Sequence, residues 1–399
     1  PGRGKIGSGG NLVSQLPGQF GWIDEHPVVK NTPAGFNGAA KSIAKFHEVI
    51  GWSLLRYAAD VHPEIVADEI EAHPLVECAQ PNYVRRFASR TNDPLLVDQE
   101  NLEAIGWEML PDIGRPVVVA IIDSGADLGH PDLAQQLWKN EIEIAGVSGV
   151  DDDENGYVDD IVGWDFSDAP SLPGEGDYLE RDANPSDESG HGTHVAGIVA
   201  ATADNGIGVA GVASAARLMI LRAGFNVAGV GFLQDDDIAG AVVYAVDNGA
   251  DILNMSFGDP VHSTLIEDVI RFATSSGCLV VAAVGNEGDN EVFYPARLKD
   301  VVGVAAVDNT GMPMSFSNWG YSVDVAGPGN AIHGLLPGGN YVKRSGTSMA
   351  TAHVSGIAAV VWARQPQLAA GQVRGAIANS ASDVFKAGWD QRTGAGLVQ

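Results

Sequence analysis

The feature that most constrains the fold is a series of five short, continuous apolar runs in the last three quarters of the chain. The runs occupy residues 117–122, 218–221, 252–255, 279–284 and 301–307. They are rich in Val, Ile and Leu and lack the polar alternation of a half-exposed strand. Strands of this kind are typical of a parallel sheet that is covered on both faces.

Helical patterns alternate with these runs, and they are predicted at 191–201, 236–248, 264–275 and 347–364. Alternating strands and helices predict an α/β domain, in which a mostly parallel central sheet carries helices on both faces. We assign residues 91–399 to this domain.

The N-terminal part is predicted to be a separate, smaller unit. Residues 1–40, rich in Gly, Pro and Asn, are expected to be irregular. Residues 41–90 are expected to form a small α+β domain that ends in a polar, basic linker, at 85–93, open to proteolysis. The elements expected in that domain are a strand, a helix and a returning strand, at 47–54, 63–72 and 75–84.

Composition excludes several classes of function. The chain has 51 acidic and 23 basic residues and a net charge of −28. A nucleic-acid partner is not expected, because phosphate binding needs clustered Lys and Arg. The excess of acidic residues suits a calcium-rich medium or simply forms a solvated surface.

Two cysteines, Cys78 and Cys278, do not make a disulfide scaffold. No apolar stretch has the length of a membrane span, and we expect the chain to be a fragment or processed form.

Four polar residues stand where strands end or helices begin. Asp123 follows the first apolar run, Asn286 follows the fourth, and His191 and Ser348 open two helices. In open α/β sheets, active groups collect outside the carboxyl ends of the strands. A hydroxyl nucleophile, an imidazole base, a carboxylate that orients the base and an amide that donates to an oxyanion are the parts of an acyl-transfer site.

Residues 123–125, 191–197 and 346–350 resemble the three signature blocks of the subtilisin-like serine proteases (subtilases, peptidase family S8), in the order of that family. The resemblance covers roughly 92–399 and implies a subtilisin-like three-layer fold in a serine endopeptidase. It implies the following roles: Asp123 orients, His191 acts as base and acid, Ser348 attacks, and Asn286 forms the oxyanion hole with the Ser348 backbone N–H.

Three further positions in these blocks bear on structure rather than on chemistry. His194 and His353 are expected to be packed, hydrogen-bonded core residues. Ala352 stands where the family usually has Pro, which puts local rigidity in doubt but not the mechanism.

The resemblance also implies a substrate site. One segment would pair with the substrate backbone, another would form the opposite wall of the first specificity pocket, and a third would flank the substrate. The residues assigned to these roles are Ser256, Phe257, Gly258, Ala283, Gly285 and Gly231. Phe293 falls where many relatives have a small residue, just before a turn, 294–296, whose proline is usually cis in the family. If the Phe293 ring points inward, the pocket is shortened.

Two calcium sites are predicted. Residues 151–160 place oxygen ligands at alternate positions around a Gly, as at the start of an EF-hand loop, but the terminal Glu of an EF-hand is replaced by Val162. A shorter loop closed by Asp160 or Asp159 is expected, with a solvated acidic turn as the alternative. The ligand candidates of this loop are Asp151, Asp153, Asn155, Tyr157 and Asp160.

The second calcium site is implied by the resemblance alone. Segment 203–209 is similar to the tight calcium loop of the family, which a distant Asp and a Gln complete. The ligand candidates are Asp132, Ala203, Asn205, Ile207, Val209 and Gln99.

The resemblance gives the N-terminal unit a role as well. Segment 78–84 is similar to the end of a subtilase prosegment, an intramolecular inhibitor and folding template that is cut off afterwards. We therefore expect a secreted, monomeric, calcium-stabilised endopeptidase that acts on proteins or peptides. A silent calcium-binding scaffold and an ester or lipid hydrolase are the alternatives.

Overall fold

The computed structural model describes residues 22–27, 53–57, 71–72, 91–108, 115–169 and 180–399. The chain divides into two compact units, Pro1–Ala88 and Ser89–Gln399.

In the first unit, β1 (Trp22–Pro27) and β2 (Ser53–Tyr57) pair antiparallel. The prediction that residues 1–40 are irregular is wrong at β1, where Trp and Ile favour a strand despite the surrounding Gly and Pro. Strand β2 overlaps the strand predicted at 47–54 only at its end. Residue 71 is helical, and the rest of the helix predicted at 63–72, apart from a turn at residue 72, lies outside the described residues. So does the strand predicted at 75–84.

The second unit is built on a seven-stranded sheet in which every neighbouring pair is parallel, in the order β11-β10-β9-β8-β3-β5-β4. Its strands are β3 (Val118–Asp123), β4 (Gly163–Asp165), β5 (Arg217–Arg222), β8 (Ile252–Met255), β9 (Leu279–Ala283), β10 (Val301–Val307) and β11 (Val325–Pro328). The predicted parallel α/β fold is confirmed. The two strands not predicted, β4 and β11, lie at the sheet edges, and each has four residues or fewer.

The helices pack in two groups. In one group α3 contacts α6 and α6 contacts α7, while in the other α4 packs on α5. The helices are α1 (Glu100–Ala104), α2 (Glu141–Ala145), α3 (His191–Ala200), α4 (Asp235–Asp247), α5 (Thr264–Ser275), α6 (Thr347–Arg364) and α7 (Ala370–Ser380). Among the described residues, no helix combines the length and the apolar character that a membrane crossing requires.

Two antiparallel hairpins extend from the sheet, and neither was predicted. One pairs β6 (Gly224–Val227) with β7 (Val230–Leu233), and the other pairs β12 (Ile332–Leu336) with β13 (Asn340–Arg344). The first hairpin turns at Ala228-Gly229, both with positive φ (52° and 86°). This backbone conformation is the one that two-residue hairpin loops prefer.

Candidate active site

Asp123 is the last residue of β3, at the carboxyl edge of the sheet, and its side chain is 5% exposed. Its Oδ1 accepts hydrogen bonds from the backbone N–H of Ser124 at 2.8 Å and from Nδ1 of His191 at 2.7 Å. Because Nδ1 carries the proton of this bond, Nε2 of His191 remains as the basic nitrogen.

Opposing effects set the pKa of His191. Burial of the ring lowers the pKa, and the charge of Arg344 acts in the same direction. The charge of Asp123 and its hydrogen bond raise the pKa and outweigh both, so that the pKa lies above its ordinary value of 6.5. His191 is thus suited to accept and return a proton near neutral pH.

A carboxylate that the sequence analysis missed, Asp187, holds the loop before α3. Its Oδ1 accepts hydrogen bonds from Ser124 Oγ at 2.9 Å and from the backbone N–H groups of Ser189 and Gly190 at 2.8 Å. Its Oδ2 accepts from the backbone and side chain of Thr193, at 2.9 and 2.6 Å. Asp187 therefore ties the first turn of α3 to the end of β3. An Asp just before a helical pattern is the signal that could have revealed it.

Gly192 allows α3 to begin close to β3. A Cβ at Gly192 would lie 2.1 Å from the carbonyl oxygen of Gly125 and 3.2 Å from Oδ1 of Asp123. A larger residue would push α3 away from β3 and would break the bond between Asp123 and His191.

Ser348 lies in the first turn of α6 and is 8% exposed. Its Oγ donates to the carbonyl oxygen of Ser256 at 2.9 Å, and Oγ of Ser256 donates to the carbonyl oxygen of Ser348 at 3.1 Å. In the described contacts, Ser348 Oγ and Nε2 of His191 do not bond to each other. The backbone N–H of Ser348 bonds to no described residue, and the positive end of the α6 dipole lies at this position.

Asn286 follows β9 and is anchored beside Ser348. Its Oδ1 accepts hydrogen bonds from the backbone N–H and from Oγ1 of Thr347, at 2.8 and 3.0 Å. With Oδ1 engaged, the Nδ2 group of this exposed residue is available to donate.

His194 and His353 are completely buried. Nε2 of His194 bonds to the carbonyl oxygens of Ile332 and Val342 at 3.1 and 3.3 Å, and burial lowers its pKa to about 3. His353 donates from Nδ1 to the carbonyl oxygen of Met349 at 2.8 Å, and its other ring nitrogen faces an Asn amide. Burial lowers the pKa of His353 to about 4. Both rings are neutral and structural. Ala352 is also fully buried, within the unbroken helix α6.

The segments assigned to the substrate line one side of this edge. The backbone N–H groups of Phe257 and Gly258, directly after β8, bond to no described residue. Ala283 ends β9, one strand away, and Gly285 follows it. Gly231 lies on β7, whose residues Val230 and Phe232 are 55% and 46% exposed. These are backbone edges to which an extended peptide can add.

Asn318, which the sequence analysis did not single out, fixes the segment after β9. Its Oδ1 accepts from the backbone N–H groups of Glu287 and Asp289 at 2.8 and 3.2 Å, and its own backbone N–H donates to the carbonyl oxygen of Gly285 at 3.0 Å. The peptide bond between Tyr294 and Pro295 is cis, as the family resemblance implied.

The predicted calcium loop at 151–160 forms only part of a carboxylate cluster. Carboxylate oxygens of Glu143, Asp153 and Asp160 lie within 4.8 Å of one another. Glu143 and Asp160 are buried, and burial raises the pKa of Asp160. Glu143, on α2, was missed because it precedes the loop in sequence. Asp160 belongs to this cluster, whereas Asp159 accepts hydrogen bonds from Ser148 and Gly149.

The remaining candidates in this loop have other contacts. Asp151 accepts hydrogen bonds from the backbone N–H groups of Asn155 and Gly156, at 3.1 and 2.8 Å, and so shapes the turn. Nδ2 of Asn155 donates to Asp153 and Asp160 at 3.1 and 3.0 Å. The Tyr157 ring packs edge-on against aromatic neighbours rather than in the cluster.

The second predicted calcium site is partly assembled. Buried Asp132 accepts hydrogen bonds from Nδ2 of Asn205 at 2.7 Å and from the backbone N–H of Val209 at 3.0 Å. Gln99 instead bonds to both backbone groups of Ala210, at 2.8 and 2.9 Å. Asp93, which was not predicted, accepts from the backbone N–H groups of this loop. The carbonyl oxygens of Ala203, Ile207 and Val209 accept no hydrogen bond from described residues.

Comparison with known proteins agrees with this geometry. The family model of the subtilase family matches residues 114–396. The "Thermophilic serine proteinase" of Bacillus sp. (strain AK1) is 36% identical over 303 residues, which are 75% of this chain and 66% of that protein. "Thermitase" of Thermoactinomyces vulgaris is 33% identical over 302 residues, 76% of this chain and 92% of that protein. "Subtilisin E" of Bacillus subtilis (strain 168) is 37% identical over 274 residues, which are 67% of this chain and 61% of that protein.

A solved structure is similar as well. A protease chain from Pseudoalteromonas arctica superposes with a TM-score of 0.63 at 28% sequence identity, over 78% of this chain and 97% of that chain. The present chain spans about two thirds of the length of the AK1 proteinase and of subtilisin E, at 66% and 61%. With the family model matching most of its length, this chain belongs to the subtilases, the serine endopeptidases of peptidase family S8.

Proposed function

We propose that this chain hydrolyses internal peptide bonds through an acyl-enzyme at Ser348. The observation that carries the proposal is the 2.7 Å hydrogen bond between Oδ1 of Asp123 and Nδ1 of His191. That bond prepares Nε2 as a base at the edge where α6 presents Ser348.

The reaction follows from these groups. Ser348 turns its hydroxyl from the carbonyl of Ser256 to His191, Nε2 takes the proton, and Oγ attacks the peptide carbonyl. The backbone N–H of Ser348 and Nδ2 of Asn286 donate to the oxyanion. Protonated His191 gives its proton to the amine that leaves, and water then releases the acyl group by the same steps in reverse. Asp123 stabilises the imidazolium throughout.

A peptide substrate would bind as an added strand. The N–H groups of Phe257 and Gly258, which bond to no described residue, and the exposed strand β7 offer backbone partners on two sides. Because one chain supplies all of these segments, we propose that the enzyme is a monomer.

We also propose that calcium stabilises the catalytic unit at both predicted loops. Three converging carboxylates suit a hard cation with oxygen ligands, and no described ion pair joins them to Lys or Arg. Buried Asp132 and the nearby carbonyl oxygens, which accept no hydrogen bond from described residues, suit the same ion. Bound calcium would neutralise these buried carboxylates. We propose a secreted enzyme, because calcium is abundant outside cells.

We propose that the first unit is an inhibitory prosegment removed by the enzyme itself. The division between Ala88 and Ser89 falls inside the basic linker at 85–93, and proteolytic cleavage is concentrated in linkers between compact units.

A serine-directed fluorophosphonate should label the wild-type protein and should not label Ser348→Ala, since the probe needs an activated hydroxyl. Peptide hydrolysis by Ser348→Ala should fall by about 10⁶-fold. Ser275→Ala, a matched change on the exposed side of α5, should keep both properties. Equal labelling of all three proteins, measured by in-gel fluorescence, would contradict the proposal.

The pH dependence of kcat/KM should reveal the balance of charge at His191. Activity should fall as pH decreases, with a midpoint above 6.5, because the raised pKa keeps the ring protonated and unable to act as a base. Arg344→Gln removes a charge that lowers this pKa and should move the acid limb to higher pH. Arg344→Lys keeps the charge and should leave the limb in place. An acid limb that moves to lower pH in Arg344→Gln would exclude this account.

Chelation of calcium should lower the midpoint of thermal unfolding of the Ser348→Ala protein, by about 10 °C if calcium nearly saturated the sites beforehand. Asp160→Asn and Asp132→Asn should each remove part of this difference, because each disables one site. Asp268→Asn, an exposed carboxylate on α5, should keep all of it. A midpoint in scanning calorimetry that does not change with chelator would refute both calcium sites.

Mass spectrometry should show that the wild-type protein cuts itself within 85–93, because this linker contains the division between the two units and proteolysis is concentrated in such linkers. The Ser348→Ala protein should remain full length under the same conditions. Active material in which residues 1–84 stay covalently attached would contradict the proposed processing.

A further inference from the structure

We propose that Phe293 fills the first specificity pocket and restricts cleavage to sites that follow a small residue, Gly, Ala or Ser. This inference rests on the proposed peptidase function and specifies the substrate class of the same site. It concerns the side chain of P1, the substrate residue whose carbonyl Ser348 attacks.

The position of the pocket follows from the two groups that hold that carbonyl. Its carbon must approach Oγ of Ser348, which contacts Ser256, while its oxygen must approach Asn286. Ser256 and Asn286 follow β8 and β9, which are neighbouring parallel strands. The P1 side chain therefore enters the gap between the segments at 256–258 and 283–285.

Phe293 occupies this gap from wall to wall. A Cβ at Gly258 would lie 3.1 Å from Cβ of Phe293, and a Cβ at Gly285 would lie 2.9 Å from Cδ2 of the Phe293 ring. The Phe293 side chain thus starts against one wall and its ring reaches the other. The residue is half-buried, as expected for the floor of an open cleft.

The floor and both walls are bonded to one another. The backbone N–H of Phe293 donates to the carbonyl oxygen of Val284 at 3.0 Å. Tyr294, the next residue, exchanges two hydrogen bonds with Asp259, at 2.9 and 3.0 Å. Asn318 holds Gly285 from behind, and a Cβ there would lie 2.3 Å from its Nδ2. The ring therefore has little freedom to move aside for a large P1 residue.

The glycines and Phe293 act in opposite directions on the width of the gap. Without Cβ atoms at Gly258 and Gly285, the gap is wide enough to hold an aromatic ring. In this chain the ring belongs to the protein itself. A P1 methyl or hydroxymethyl group still fits above it, whereas a P1 phenylalanine would have to displace it.

The test uses peptide p-nitroanilides that differ only in P1, namely Gly, Ala, Leu and Phe, with the full-length chain. In the wild type, kcat/KM for P1 Ala should exceed that for P1 Phe by about 100-fold. Phe293→Ala should raise kcat/KM for P1 Phe at least about tenfold while retaining hydrolysis of the P1 Ala substrate. Phe272→Ala, a matched change at an exposed position of α5, should leave the ratio as in the wild type.

The outcomes separate this inference from the proposed function. If the wild type cleaves after Phe as well as after Ala, the pocket is not blocked and the inference is wrong, although the peptidase function stands. If Phe293→Ala retains the wild-type preference, Phe293 does not set it. If no substrate is cleaved and Ser348→Ala behaves like the wild type, the peptidase function and the inference both fail.

Discussion

The site depends on the parallel alignment of three neighbouring strands, β9, β8 and β3. Parallel strands end at the same edge of a sheet and lie about 4.8 Å apart. The residues that end or follow these strands, Asn286, Ser256 and Asp123, are therefore brought side by side although more than 160 positions separate the first from the last. Helices α3 and α6 then need only to begin at this edge to add His191 and Ser348.

Bringing helix starts so close to strand ends requires backbone groups to approach without side chains between them. At Gly192 an added Cβ would meet a carbonyl oxygen at 2.1 Å. Buried side chains then take the place of missing secondary-structure bonds. Asp187 accepts five hydrogen bonds around the start of α3, and bonds to a charged group each contribute about 1.5–3 kcal/mol. The precision of the triad therefore depends on residues that take no part in the chemistry.

The apolar runs predicted five of the seven sheet strands, and four helices were predicted to within a residue at each end, because burial on both faces leaves a strong local pattern. Strands β4 and β11 have little such pattern, since each is short and contains Gly, and β11 also contains Pro. Glu143 and Asp187 were missed for a different reason. Glu143 accepts from backbone N–H groups of the loop at 152–159, and Asp187 joins the backbone before α3 to the hydroxyl of Ser124 on another segment. These pairings exist only after the chain has folded. Each of the three signature blocks, in contrast, contains its functional residue within a short continuous stretch that can be read directly from the sequence.

The strongly acidic chain nevertheless places a cation beside its base, where no described carboxylate pairs with Arg344. This arrangement suits a histidine that must act as a base when neutral and as an acid when protonated. Asp123 alone, in a partly buried site, would hold the ring protonated over a wider range of pH and would leave less neutral base to begin the reaction. Burial and Arg344 counter this effect without contact with Asp123. The charges that raise and lower the pKa of His191 thus come from separate parts of the fold, Asp123 on β3 and Arg344 on the hairpin β12–β13.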